Sequence, residues 1–295
     1  MNGVLLLNKP RGMTSHDCVM QVRKLLKTKK VGHTGTLDPE VDGVLPLCVG
    51  TATKLVQFLT ANAKEYIGEV TIGYSTTTED ATGELVDQRL VRQTINQEVI
   101  KQTLQSMIGT ALQTPPMYSA VKVGGKKLYE YARAGIEVKR PTRNVTIFNL
   151  ELLDEINHAD GLLKFKFKIH GSKGIFIRTV AVTIGEKLGY PAHMSALQRT
   201  ASGNFKLADC VTLDDIRLGS FKLLTISEAL ADFPTVVVDN WVEKLVKNGV
   251  KLREEQITPP TKSQQFLIKG QDKNPLSIHE WDAQRECYRA VRGLW

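Results

Sequence analysis

The stretch LLKFKFKIH, residues 162–170, alternates apolar and polar side chains with a period of two. A strand with one face on a core and the other in water satisfies that pattern, so the chain is expected to build a sheet. YIGEVTIGY, residues 66–74, alternates too, with Tyr66, Val70, Ile72 and Tyr74 on one side and Glu69 and Thr71 on the other. Residues 3–8 read as a short apolar strand stopped by Lys9-Pro10-Arg11-Gly12, and a further strand is expected within 143–153. Helical patterns lie between these segments. Ser15 is placed to cap a helix bearing Cys18, Val19, Val22, Leu25 and Leu26. Thr94 and Gln97 form a capping-box pattern ahead of Val99, Ile100 and Leu104, and Arg178–Leu188 reads as a helix ending at Gly189.

Hairpin-like neighbours outnumber clean βαβ units, which implies an α+β fold with a mixed, mostly antiparallel central sheet flanked by helices. After Pro234, the run VVVDNWVEKLVKNGVKL gives a strand, a capped helix and a Gly turn. It marks the start of a small β-rich C-terminal domain, 236–295, following a larger one, 1–235.

Charge narrows the class of partner. The 295 residues carry a net charge of +8, which suggests a polyanion. Residues 236–295 hold 10 Lys/Arg against 8 Asp/Glu, leaving 29 against 23 in 1–235, so the phosphate-binding surface is expected in the larger domain. Cys18, Cys48, Cys210 and Cys287 are far apart, without metal-ligand spacing, which argues against a disulfide framework and against a zinc site. No signal peptide or membrane-length apolar run is evident, so a cytoplasmic protein is expected.

Walker, dinucleotide-binding, GxSxG and HExxH motifs are absent from the sequence. What stands out is GHTGTLDPEVDGVLP, residues 32–46, where a lone carboxylate, Asp38, sits in a glycine-rich loop. An aspartate kept ionised by a cation can act as a nucleophile, and chemistry on RNA bases uses a flipped nucleotide, an aromatic ring and basic side chains.

Four motifs, in order, carry a resemblance over essentially the whole chain: LLLNKPRGMTS, GHTGTLDPEVDGVLPLCVGTATKL, KEYIGEVTIGYSTTTEDATGE, and GSKGIFIRTVAVTIGEKLG followed by HMSALQRT. The sequence resembles the TruB family, the bacterial tRNA pseudouridine-55 synthases. The resemblance implies a pseudouridine synthase fold with a PUA-like C-terminal domain. It also implies conversion of uridine to pseudouridine in the TΨC loop of tRNA, with no cofactor, no metal, no obligatory protein partner and a monomeric enzyme. It places Asp38 on the catalytic aspartate, acting by attack at C6, by attack at C1′, or by stabilising charge as a glycal forms. Tyr66 falls on the tyrosine that stacks on the ring and removes a proton, and Arg178 on the arginine paired with the aspartate. His33 matches the histidine that enters the RNA fold. Phe176 and Leu197 match positions lining the uracil pocket, and Lys9 and Pro10 match a motif that supports the loop; Lys173, with no matching family position, is a candidate phosphate contact.

The chain departs from the family at Glu40-Val41-Asp42, where small residues are frequent, at Phe176, where some members carry Tyr, and at Gln198, where Arg is frequent. The two extra carboxylates are expected to face away from phosphates or to make local bonds. A non-catalytic RNA-binding protein would fit the same charge, but Asp38, Tyr66 and Arg178 together speak for an enzyme. A glycosidase would need a second carboxylate flanking the bond, and no second motif carboxylate is evident in the sequence.

Overall fold

The computed structural model describes residues 1–61, 63–153, 156–259 and 264–294. The chain opens with β1 (Gly3–Lys9) and α1 (Ser15–Leu25), followed by β2 (Asp42–Val49) and β3 (Lys64–Ile72). Next come α2 (Gln97–Gln105), β4 (Gly109–Gln113), the short α3 (Leu128–Arg133), β5 (Arg143–Leu152) and β6 (Leu162–Gly171). α4 (Ile177–Leu188) and β7 (Ala192–Ser202) follow. Their order in the sheet is β1-β2-β7-β3-β6-β5-β4, and three short strands bring it to ten among the described residues. Only β2 and β7 run parallel on this path, meeting at Asp42↔Gln198 and Gly43↔Arg199.

Both alternating segments lie at the centre. Ile169 of β6 faces Tyr66 of β3, and Phe165 faces Val70. Phe165, Phe167 and Ile169 bury one face while Lys164 and Lys166 are exposed on the other, as the alternation requires. The buried face packs on α2 and α4 through Ile100, Leu104, Val180 and Ile184. On the other half of the sheet, Leu5, Leu7, Leu45 and Leu47 pack against Cys18, Val19 and Val22 of α1.

Local details differ from the sequence expectations. Thr14, not Ser15, caps α1: its hydroxyl accepts from Asp17 N–H while the Asp17 carboxylate accepts from Thr14 N–H. Ser15 is the first helical residue and its hydroxyl is engaged by Leu37. α2 is capped by Asn96 rather than Thr94. β3 ends at Ile72 because Gly73 turns the chain at φ +126°, so Tyr74 begins a separate hairpin strand. The Tyr74 and His193 rings lie 4.3 Å apart, and Thr71, the register partner of His193, is buried rather than wet.

A separate four-stranded sheet follows: β8 (Thr235–Val237), β9 (Phe266–Lys269), β10 (Pro275–Asp282) and β11 (Cys287–Gly293), with α5 (Asn240–Lys247) packed on it. Val242 and Val246 of α5 share a core with Phe266, Ile268 and Tyr288. Leu267, Ile278 and Leu294 instead join Val4, Leu6, Val44 and Phe58, so the second sheet is cemented to the first through an apolar cluster. All four cysteines are free thiols, and no described helix is long and apolar enough to cross a membrane.

The parallel contact between β2 and β7 depends on Gly43. At φ +111°, a Cβ there would lie 2.2 Å from the Arg199 carbonyl oxygen. Gly43→Ala is therefore expected to lose at least about 1–3 kcal/mol of stability from backbone strain. Urea unfolding of both proteins checks this, and equal midpoints would contradict the close approach.

Candidate active site

Asp38 lies in the loop between a short strand, Val31–His33, and β2. Three fastenings hold that loop. The Lys9 ammonium, 0% exposed, donates to the carbonyls of Pro10 (2.8 Å), Met13 (2.5 Å) and Pro39 (3.1 Å). Gly12 N–H donates to the same Pro39 carbonyl at 2.9 Å. Ser15 Oγ accepts from Leu37 N–H at 2.8 Å and donates to Leu37 O at 3.2 Å. Leu37 and Val41 are buried on either side of Asp38, whose own side chain remains 43% exposed. The loop thus anchors its apolar residues and presents its carboxylate.

Arg178, in the first turn of α4, meets that carboxylate. Its guanidinium is 6% exposed and reaches four groups from three parts of the chain. Nη2 lies 3.0 Å from Asp38 Oδ2 and donates to Tyr118 O at 2.8 Å, while Nη1 donates to Thr78 O at 2.9 Å and lies 3.6 Å from Asp80 Oδ2. Asp80 is itself fixed, because its Oδ1 accepts from the hydroxyls of Thr78 and Thr82 (both 2.6 Å) and from Thr82 N–H. The sequence TTTEDATGE is therefore a turn that wraps its own carboxylate and aims it at Arg178. Burial lifts the Asp38 carboxyl above its ordinary range, Arg178 opposes the rise, and Asp80 adds to it. A full-strength cation is needed here because two carboxylates share it.

Tyr66 is buried on β3, in one cluster with Leu37, Val41, Leu197 and Ile177. The aspartate loop, the tyrosine and the first turn of α4 are thereby joined through apolar contact. Its hydroxyl makes no hydrogen bond among the described residues. Phe176, the residue before α4, is half-buried with the Arg143 guanidinium 5.4 Å over its ring. Lys173 is exposed in the turn before it. His33 is half-buried, its Nδ1 has no hydrogen-bond partner among the described residues, and burial lowers its pKa, which favours the neutral ring. Pro10 lies on the turn that the Lys9 ammonium grips.

Two of the departures from the family meet each other. Gln198 Nε2 donates to Asp42 Oδ2 at 2.6 Å, and Arg11 Nε donates to Asp42 Oδ1 at 3.1 Å. Of the two extra carboxylates, Asp42 makes local bonds, with Gln198 as one of the donors, and Glu40 is exposed.

Asp80, Thr78, Thr82, Tyr118 and Lys64 went unnoticed in the sequence. Lys64, buried two residues before Tyr66, is pulled down to about 8 by burial, with Arg199 and Lys173 adding repulsion. Asp80 could have been suspected from its flanking threonines, since Thr-x-Asp-x-Thr is a self-capping turn pattern. The Tyr118 contribution is a backbone carbonyl and carries no side-chain signal.

Replacing Arg178 by Met removes the main influence that holds Asp38 down, and leaves burial and Asp80 to lift it. The Asp38 pKa is expected to move further up, read as the pH dependence of its carboxyl carbon NMR signal in folded protein. No upward movement would contradict this electrostatic account.

Comparison with known proteins bears on the whole assembly. Residues 23–177 match the model described as TruB family pseudouridylate synthase (N terminal domain), and residues 178–223 the tRNA pseudouridylate synthase B C-terminal domain. A protein of Bacillus licheniformis named tRNA pseudouridine synthase B is 58% identical over 257 residues, 85% of this chain and 83% of its own. One of Bacillus anthracis with the same name is 54% identical over 290 residues, 95% of this chain and 92% of its own. Among solved structures, a chain of "Crystal Structure of a Cbf5-Nop10-Gar1 Complex" superposes with a TM-score of 0.75 at 24% identity, covering 99% of this chain and 85% of its own. That likeness shows the pseudouridine synthase fold. With family models over most of the larger part and relatives this similar across nearly the full length, the chain belongs to the TruB family of pseudouridylate synthases, which are isomerases.

Proposed function

We propose that this enzyme isomerises uridine 55 in the TΨC loop of tRNA to pseudouridine, with Asp38 as the acting carboxylate. The observation that carries the reading is the Asp38–Arg178 pair, presented next to the Tyr66 and Leu197 cluster. The relatives named tRNA pseudouridine synthase B supply the substrate class.

The reaction breaks N1–C1′, turns the uracil, forms C5–C1′, and moves a proton from C5 to N1, so no electrons are gained or lost. Asp38 supplies the negative charge, by attack at C6 or C1′ or by stabilising cationic character as a glycal forms. Arg178 orients it and counters the burial that favours its neutral form. Tyr66 stacks on the flipped ring and accepts the C5 proton, and Phe176 and Leu197 line the pocket. His33 fills space vacated by flipped bases with a neutral ring. Lys9 and Pro10 hold the loop.

Docking of the RNA falls to the surface around this site. Residues 118–143 carry seven Lys/Arg against two Glu and begin at the carbonyl that Arg178 grips, so they form, with Lys173, the phosphate-facing surface. Residues 236–295 act as the PUA-like domain and 1–235 as the catalytic one. The near-neutral charge of the former assigns it a modest share of affinity.

Asp38→Asn keeps the shape of the loop and removes the charge. It is expected to fold, to bind tRNA within about tenfold of wild type, and to form no pseudouridine. Binding and product measured on one preparation decide the matter, and retained isomerisation would remove Asp38 from the chemistry. Tyr66→Phe should keep binding and lose turnover by about 100- to 10,000-fold, the usual contribution of a general base. Near-normal turnover would leave Tyr66 a stacking surface only.

A further inference from the structure

α4 starts without help from its own sequence. Phe176 at its N-cap offers no side-chain acceptor, and no acidic residue follows in the first turn. The N-cap residue is held instead by Gln113, the last residue of β4, 63 positions away. Its Oε1 accepts from Phe176 N–H at 2.8 Å and its Nε2 donates to Phe176 O at 3.1 Å. One carboxamide thus pairs with both polar groups of one residue, as a neighbouring strand would. The Phe176 carbonyl also accepts the bond from Val180 N–H that opens the helix, so Gln113 grips the group from which α4 grows.

We propose that Gln113 is a positioning residue for the reaction proposed above, fixing Phe176 and, through the first turn of α4, the place of the Arg178 guanidinium against Asp38. The proposal rests on that reading of the site. Gln113 is buried, and its register partner Arg143 lays its guanidinium over the Phe176 ring, so the residue is held on its backbone and on one ring face. Five residues beyond Gln113, the Tyr118 carbonyl accepts from Arg178 itself at 2.8 Å. Segment 113–118 therefore touches α4 twice, at Phe176 and at Arg178. The basic residues 118–143 continue from it, so the strand that begins the RNA-facing surface also sets the geometry of the ion pair. An apolar residue of similar volume would fill the space but fix no direction.

Gln113→Met keeps the volume and deletes both bonds, while Gln113→Glu keeps the acceptor for Phe176 N–H. Each is compared with wild type and with Asp38→Asn on an unmodified TΨC stem-loop transcript, following single-turnover rate, affinity, melting temperature and the pH dependence of the rate. Positioning predicts a rate loss of about 10- to 100-fold in Gln113→Met, with affinity within about threefold, and partial recovery in Gln113→Glu. It also predicts that the acid limb of the rate moves to higher pH, because the groups facing Asp38 are Arg178, Asp80 and Lys9 and only the hold of Arg178 is loosened. A normal rate, or rate and affinity falling together with an unmoved acid limb, would overturn the proposal and leave Gln113 a support of the fold. Should Gln113→Met not fold, the rate and acid limb of Gln113→Glu decide by the same criteria. Turnover by Asp38→Asn would instead count against the reading of the site itself.

Discussion

A buried guanidinium is costly to leave without partners. Arg178 brings five N–H donors and a charge into a place with almost no water, and each misplaced partner would leave that charge exposed to a low-dielectric surround, at a cost of several kcal/mol. Its partners come from the aspartate loop, the turn at residues 78–80 and the strand exit at Tyr118, stretches with no contact in sequence. None of the three can shift alone without uncovering it. The site is therefore specified by what the arginine requires, more than by the strength of any one ion pair. A lysine could not replace it, since one ammonium lacks the planar fork that divides between two carboxylates and two carbonyls.

Lys9 applies the same logic without a carboxylate in its shell. Its ammonium is satisfied by three carbonyls, and burial lowers its pKa while Cys18 and the loop carboxylates Asp42, Glu40 and Asp38 pull the other way. One cation thus stiffens the backbone behind Asp38 and another orients the side chain in front of it. Between them the carboxylate is held from both sides while staying accessible.

Much of this was legible in the sequence. LLKFKFKIH had to be a half-buried strand, and it is; the glycine-rich run around Asp38 had to be a loop, and it is one. The motif resemblance placed Asp38 and Arg178 as a pair, and they lie 3.0 Å apart. What escaped notice falls into two kinds. Caps were misplaced by one or two residues, since Thr14 and Ser15 are chemically interchangeable until Leu37 arrives to claim Ser15. Partners supplied by backbone, such as Tyr118 O, or by distant residues such as Gln113, leave no local pattern, because any residue has a carbonyl and a lone glutamine looks like surface. Thr71 shows the opposite failure: its alternation implied water, and it is buried beside His193.

The apolar cluster joining Leu267, Ile278 and Leu294 to Val4 and Leu6 sets an order on biosynthesis. A ribosome releases β1 well before those three leucine and isoleucine side chains. Val44, Cys48, Leu55 and Phe58 of the same cluster follow β1 closely, so only the part of its face that the second sheet covers waits for later residues. The large sheet can therefore pair early, while this patch of it is sealed only once the second sheet has been made.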